Sequence, residues 1–243
     1  MIKAKDKDPQ KMPEHVGIIM DGNGRWAQKN GMIRTIGHKN GTETVRKAIT
    51  YCSERNISVL SLFAFSTENW KRPAGEISGI MNLLTEYLSK ETPSMKKNNV
   101  RLRFAGDLNR LSARSRASVI DSENETRENT GLTVNIALNY GGRDEIVNAA
   151  RLIARTVSSG QLSEDDITEE LFSDYLYTSP NSDIDLLIRT GAEKRISNFM
   201  LWQLAYAEIY FTDILWPDFS ENDFDDAIEF FQKRERRFGD IKK

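Results

Sequence analysis

Apolar and polar positions along this chain follow two periods that take turns. A short apolar run, VGIIM at 16–20, predicts a strand, and Val45, Ala48, Ile49 and Cys52 then follow the spacing of one helix face. ISVLSLFAF at 57–65 is almost continuously apolar, as in a strand covered on both faces. Ile77, Ile80, Met81, Leu84 and Leu88 return to helical spacing. VRLRFAG (100–106) and LTVNIALNY (132–140) alternate as strands, with a polar, helix-like stretch between them. Ile146, Val147, Ala150, Ile153 and Ala154 mark a helix opened by GGRDE, and a further helical stretch is predicted over 163–177. IDLLIRTG (184–191) reads as a strand and then a loop, AEIYF (207–211) as the last strand, and Phe224, Ile228 and Phe231 as a final helix. Strands alternating with helices predict one α/β domain, built on a largely parallel central sheet of about six strands flanked by helices. Such sheets bind ligands at the carboxyl ends of their strands.

At 243 residues, 39% hydrophobic and 29% charged, the chain is long enough to bury a sizeable core. Its net charge of −2 supplies no basic field, so nucleic acid is not an expected partner and any anion site must be built locally. A single cysteine, Cys52, rules out an internal disulfide and suits a reducing compartment. Two histidines, His15 and His38, are too few to suggest a His/Cys zinc site. The N-terminal MIKAKDKDPQK has no apolar signal core. FMLWQLAYAEIYF (199–211), the most apolar long stretch, is too short for a membrane span and carries Gln203 and Glu208. A soluble, cytoplasmic protein is expected, with a flexible polar segment over residues 1–12 and one domain over 13–243.

Unusual chemistry falls next to the predicted strands. The first strand runs into MDGNGRW (20–26), which holds one carboxylate, Asp21, then Gly22, Asn23, Gly24, the cation Arg25 and Trp26. Glycines let the backbone approach a ligand closely, successive N–H groups can hold phosphate oxygens, and a guanidinium adds a donor fork. Asp21 would repel a bare phosphate, but a Mg²⁺ ion between them resolves this, because Mg²⁺ takes one or two carboxylates together with phosphate oxygens and water. The competing reading is a tight turn in which Asp21 caps a helix. After the second strand, FSTENWKRP (65–73) offers Ser66, Thr67, Asn69 and Arg72 beside Trp70. IRTGAEKRISNF (188–199) offers Arg189, Arg195 and Ser197, and GMIRTIGHKNG (31–41) offers Arg34 and His38. Together, in a net-acidic chain, these clusters predict a phosphate-containing ligand. Phe63, Phe65, Met81, Leu84, Leu88, Leu132 and Leu138 lie on elements bordering the same strand ends. They read as ordinary core for the most part, or as walls of a hydrophobic tunnel suited to a lipid diphosphate.

The sequence resembles the cis-prenyltransferase family. The resemblance rests on HVGIIMDGNGRWA (15–27), GHKNG (37–41), FAFSTENWKRP (63–73), NYGGRDEI (139–146), the long block 185–219 beginning DLLIRTGAEKRISNF, and the terminal RRFG (236–239). These blocks stand in family order, and no aspartate-rich DDxxD motif of the trans enzymes is present. The resemblance implies a transferase that condenses isopentenyl diphosphate units onto an allylic diphosphate, usually farnesyl diphosphate, with each new double bond cis. It implies a long product of the undecaprenyl class for cell-wall lipid-carrier synthesis, with a shorter-chain synthase or a non-catalytic partner subunit as alternatives. It further implies a Mg²⁺ cofactor, a homodimer, and at most peripheral contact with the inner face of the plasma membrane for product release.

Residue by residue, the resemblance assigns Asp21 to catalysis and metal binding, with Glu208 as the second metal carboxylate. Gly22, Asn23, Gly24 and Arg25 would cradle the allylic diphosphate, with Trp26, Arg34 and His38 beside it. Ser66, Thr67, Glu68, Asn69, Trp70 and Arg72 would line the reaction centre, Asn69 lying in the motif tied to proton loss. Arg189, Arg195, Ile196 and Ser197 would hold isopentenyl diphosphate, and in some relatives a terminal pattern matched here by Arg237 and Gly239 reaches that site across the dimer. Ala64 would leave the tunnel open near its mouth, with Leu132 near the far end. Two departures stand out. Arg189-Thr190-Gly191-Ala192 replaces the usual RTGG or RTSG, and 178–185 is shorter than in many relatives.

Overall fold

The structure, a computed structural model, describes residues 12–180 and 183–234. The expected loose N-terminus, the terminal Arg237 and Gly239, and part of the shortened 178–185 segment lie outside those residues. The first strand, β1 (His15–Ile19), is buried at all five positions. It is followed by two helices, α1 (Asn23–Lys29) and α2 (Arg34–Glu54), and then by β2 (Val59–Ser66). A long helix α3 (Ala74–Lys97) leads to β3 (Arg101–Ala105), α4 (Ala113–Thr126) to β4 (Thr133–Tyr140), and α5 (Gly142–Ser158) with a short α6 (Glu169–Asp174) to β5 (Leu186–Arg189). β6 (Glu208–Phe211) and α7 (Glu221–Gln232) complete the described chain.

The six strands form one sheet in the order β3-β4-β2-β1-β5-β6, and every pairing is parallel. β1 is central, with Val16 opposite Leu60 on one side and Leu186 on the other. The chain therefore leaves β1 toward β2 and returns later on the opposite side as β5, the arrangement that opens a crevice at the strand ends. Both faces are covered, which explains the unbroken apolar runs. One face carries the larger core, with Ile18, Leu62 and Ile136 packed among residues of α2, α3, α4 and α7. The other carries a smaller core of Ile19, Ala137, Tyr140, Leu187, Phe199 and Met200.

Three segments depart from the sequence reading, each for a local reason. MDGNGRW is not a free loop: Gly22, at φ +112°, turns the chain directly into α1, and no side chain caps that helix. Asp21 thus does not act as the cap. GMIRTIGHKNG is not a strand end, since α2 begins at Arg34 and carries His38. The predicted helix over 163–177 is broken, because Ser163 caps a separate 3-10 turn (Glu164–Asp166) and the Thr168 side chain caps α6 by accepting from the Leu171 N–H.

The pairing of α1 with α2 depends on Gly37. A Cβ there would stand 2.0 Å from the Asn23 carbonyl oxygen. Gly37→Ala should therefore push α1 off α2 and cost about 1–3 kcal/mol. A lowered midpoint in thermal unfolding checks this, and an unchanged midpoint would show that the two helices can part freely.

Candidate functional site

The site lies at the carboxyl ends of β1, β2 and β5, where a cavity of about 750 Å³ opens. Asp21 follows the end of β1, and Arg189 is the last residue of β5. Their pairing closes the crevice: the Arg189 Nη2 donates to Asp21 Oδ2 at 2.9 Å, while Arg25 Nη2 stands 3.2 Å from Asp21 Oδ1. The Asp21 backbone is fixed too, its carbonyl accepting from Thr190 Oγ1 at 2.7 Å and from the Trp216 N–H at 3.0 Å. Arg189 is only 3% exposed. Its Nη1 donates to Ser197 Oγ at 2.7 Å and to the Arg195 carbonyl, and its Nε is buried with no partner. The Arg195 guanidinium itself reaches outward to Glu193.

The loop after β5 is held in unusual backbone conformations. Ala192, Ser197 and Asn198 have φ of +66°, +51° and +64°. The alanine that departs from the usual RTGG thus does occupy a left-handed position, at a cost of about 1–2 kcal/mol. Its N–H donates to the Thr212 carbonyl, which holds it there. Asn198, which sequence reasoning passed over, ties three segments together. It donates to Glu68 Oε1 at 3.1 Å and accepts from the N–H groups of Gly142 and Arg143 at 2.7 and 2.9 Å.

After β2 the chain makes a 3-10 turn (Thr67–Lys71) closed by reciprocal bonds between Ser66 and Asn69. Asn69 Oδ1 accepts from the Ser66 N–H at 3.1 Å, which leaves its amide NH₂ as the remaining donor. Burial alone would raise the Glu68 carboxyl, but bonds from its own N–H and from Asn198, Ser66 and Thr67 bring it below its usual value. On the facing wall Arg72, Arg34 and His38 converge on Glu76, at 3.1, 3.5 and 3.8 Å. Burial lowers the pKa of His38, the Arg72 and Arg34 charges lower it further, and Glu76 opposes them, so the imidazole is neutral near pH 7. Its Nε2 is buried without a hydrogen bond. Glu76 was not foreseen either. An acid in the first turn of a helix reads as an ordinary complement to the helix dipole.

Of the residues singled out in the sequence, Asp21, Gly22, Asn23, Gly24, Arg34, His38, Ser66, Glu68, Asn69, Arg72, Arg189, Arg195 and Ser197 line this cavity. Arg25 reaches it through Asp21. Trp26, Thr67, Trp70, Ile196 and Glu208 do not line it. Trp26 donates to Asp218 at 2.6 Å, and Trp70 donates to Asn139 at 2.6 Å while packing edge-on against Phe65. Ile196 packs against the smaller core. Glu208 begins β6 and pairs with Arg234 at 3.1 Å.

Beyond the charged end the cavity becomes apolar, walled by Val45, Leu62, Phe63, Ala64, Ile80, Leu83, Leu84 and Ile136. Ala64 faces it because β2 carries a bulge: Phe63 pairs with Ala137 and Phe65 with Leu138, leaving Ala64 as the extra residue. Phe65, Leu88, Leu132 and Leu138 do not line this cavity and are sealed in the larger core.

Behind the site, Glu145 is buried and accepts from Tyr140 Oη and from Gln203 Nε2 at 3.2 Å. Burial raises its pKa against those hydrogen bonds. The folded state then holds the proton more tightly than the unfolded chain. Stability is lost as pH rises from the unfolded value of about 4.3 through the folded one. Glu145→Gln should be more stable than the parent by a margin that widens with pH across that window. Urea unfolding at a series of pH values checks this, and a margin independent of pH would contradict it.

A family model described as "Putative undecaprenyl diphosphate synthase" matches residues 19–239. The chain is 50% identical over 243 residues to the Escherichia coli (strain K12) "Ditrans,polycis-undecaprenyl-diphosphate synthase ((2E,6E)-farnesyl-diphosphate specific)", covering 98% of this chain and 96% of that one. Among solved structures it superposes on lavandulyl diphosphate synthase from Lavandula x intermedia, in complex with dimethylallyl diphosphate, with a TM-score of 0.92 and 35% identity over 95% of this chain and 100% of that one. It also resembles "a probable undecaprenyl diphosphate synthase" from Campylobacter jejuni, with a TM-score of 0.78 and 41% identity over 94% and 99%. The chain belongs to the cis-prenyltransferase family.

Proposed function

We propose that the protein extends farnesyl diphosphate with successive isopentenyl diphosphate units, forming cis double bonds and yielding undecaprenyl diphosphate. The observation that carries this reading is the two-ended cavity, in which Arg34, Arg72, Arg189 and Arg195 gather at one end and a largely apolar wall forms the other. An amphiphile with an anionic head and a hydrocarbon tail satisfies both ends at once. The buried Arg189 Nε, without a partner, is a donor left for such a head group.

In this reading the allylic diphosphate lies against Asn23, Gly24, Arg34, His38 and Arg72, and isopentenyl diphosphate against Arg189, Arg195 and Ser197. The allylic C–O bond breaks as the isopentenyl double bond attacks, and charge grows on the departing diphosphate. Guanidinium forks already aimed there stabilise that charge without reorganising. A proton leaves the isopentenyl unit. Asp21 or an oxygen of the departing diphosphate takes it, while Asn69, whose Oδ1 accepts the Ser66 N–H, presents its NH₂ as a donor.

Among the described residues no group of three or more His, Cys, Asp or Glu side chains could hold a metal on its own. The site still fits Mg²⁺, which needs only one carboxylate when diphosphate oxygens and water complete its shell, and Asp21 offers that carboxylate. When bound, the ion would supply further neutralisation of diphosphate charge. A role for Glu208 is supported by the resemblance alone, as are a homodimer, a cytoplasmic location and peripheral membrane contact. No helix of the described residues is long and apolar enough to cross a membrane.

Titration with farnesyl diphosphate, and separately with farnesol, tests the head-group assignment. Tight binding of the diphosphate and weak binding of the alcohol are expected. Equal affinities would place recognition in the apolar wall and overturn the reading.

A further inference from the structure

A second cavity, of about 330 Å³, lies between α2 and α3. It continues the first along the same two helices. On α2 the active-site cavity is lined by residues from Arg34 to Val45, and the second by Arg46, Ile49, Thr50, Ser53 and Glu54. At about 1.5 Å of rise per residue, the second cavity carries the passage roughly 13 Å further from the charged end. Its wall is mixed: Ile49, Met95 and Val100 are apolar, while the Arg46–Glu91 ion pair and Glu54 stand on the same lining.

One side chain among the described residues lines both cavities, and it is Tyr87 of α3. The ring stands at the boundary, one helical turn beyond Leu83 and Leu84 of the first cavity and one turn before Glu91 of the second. Its hydroxyl is buried without a hydrogen-bond partner. A buried tyrosine hydroxyl normally finds one. Burial pushes this phenol well above its usual pKa, and the nearby Glu91 charge adds to the effect. The second cavity holds side chains that could accept the hydroxyl, Thr50, Ser94 and Asn98 among them. Nothing polar therefore holds the ring in its present place.

We propose that Tyr87 determines product length: its ring partitions one passage into two cavities, and the tail of a growing prenyl chain enters the second only past that ring. The inference rests on the chain-elongation reading above. Apolar tail carbons gain by leaving water at every added unit, so the space open to them decides how far growth proceeds.

The test compares the parent, Tyr87→Ala and Tyr87→Phe, each given farnesyl diphosphate, labelled isopentenyl diphosphate and Mg²⁺, with product lengths resolved at matched total incorporation. Tyr87→Ala should shift the distribution toward longer chains. Tyr87→Phe, which keeps the ring, should reproduce the parent distribution. An alanine variant with products equal to or shorter than the parent's overturns the proposal, and so does a phenylalanine variant that shifts as far as alanine. If Tyr87→Ala does not fold, Tyr87→Leu is read by the same criteria. No incorporation by the parent would instead defeat the elongation reading itself, so the two failures are told apart.

Discussion

Asp21→Ala should leave the fold intact and lower kcat by roughly 10²–10⁴-fold. The fold survives because Asp21 holds β1 to its neighbours through its backbone carbonyl, which the substitution keeps. What is lost is the carboxylate between Arg25 and Arg189. Arg25, freed of its counter-ion, can still bind the allylic diphosphate, so KM for the allylic substrate should stay level or fall while kcat collapses. That split separates a role in the transition state from one in ground-state binding. Circular dichroism with steady-state kinetics at saturating Mg²⁺ checks it, and near-parental kcat would remove Asp21 from the chemistry.

The second large effect is expected at Arg189. Arg189→Lys keeps the charge but replaces a planar fork by a single ammonium. Asp21 is met by Nη2, and Ser197 and the Arg195 carbonyl by Nη1, two separated donors that a single ammonium does not reproduce. Losing these part-buried hydrogen bonds should cost about 1–3 kcal/mol of stability. Catalytic efficiency toward isopentenyl diphosphate should fall on the order of 10²-fold, by the scale of other lost preorganised donors. The allylic KM should move less. Equal changes in both KM values would show that Arg189 serves the two head groups alike, against the assignment made above.

The sheet was legible because its strands are covered on both faces. β1 and β2 then read as nearly unbroken apolar runs, while β3 and β4 were read from their alternation. The helices α2, α3, α5 and α7 were legible in their apolar faces, and GGRDE marked the start of α5, but the beginnings of the other three were not. α1 starts on a positive-φ glycine with a second glycine, Gly24, inside it, and glycines in sequence signal a loop. Contacts between separate elements explain the composition: a Cβ at Gly22 would stand 2.9 Å from Leu215, and one at Gly24 3.0 Å from the Arg34 guanidinium. The bulge at Ala64 was likewise invisible, since an extra unpaired residue in β2 is defined by its pairing with β4.

The site was legible as a set of residue types and not as a set of pairs. Arginines beside hydroxyls and glycines announced an anion site, yet Asp21 and Arg189 lie far apart in the chain and meet only because β1 and β5 are neighbours. Glu76 and Asn198, which hold the cationic wall and the β5 loop in place, carry no signal in isolation. The apolar wall shows the same limit. Leu132 and Ile136 lie on the same face of the β4 region and both join the larger core, but only Ile136, four residues nearer the carboxyl end, reaches the cavity.

The account is tested most directly by incubating the purified full chain with farnesyl diphosphate, labelled isopentenyl diphosphate and Mg²⁺, and then resolving the product's length and the geometry of its new double bonds. A polyprenyl diphosphate of the undecaprenyl class with every new double bond cis is the predicted result. Folded protein that incorporates no label, or that forms trans bonds, would contradict it.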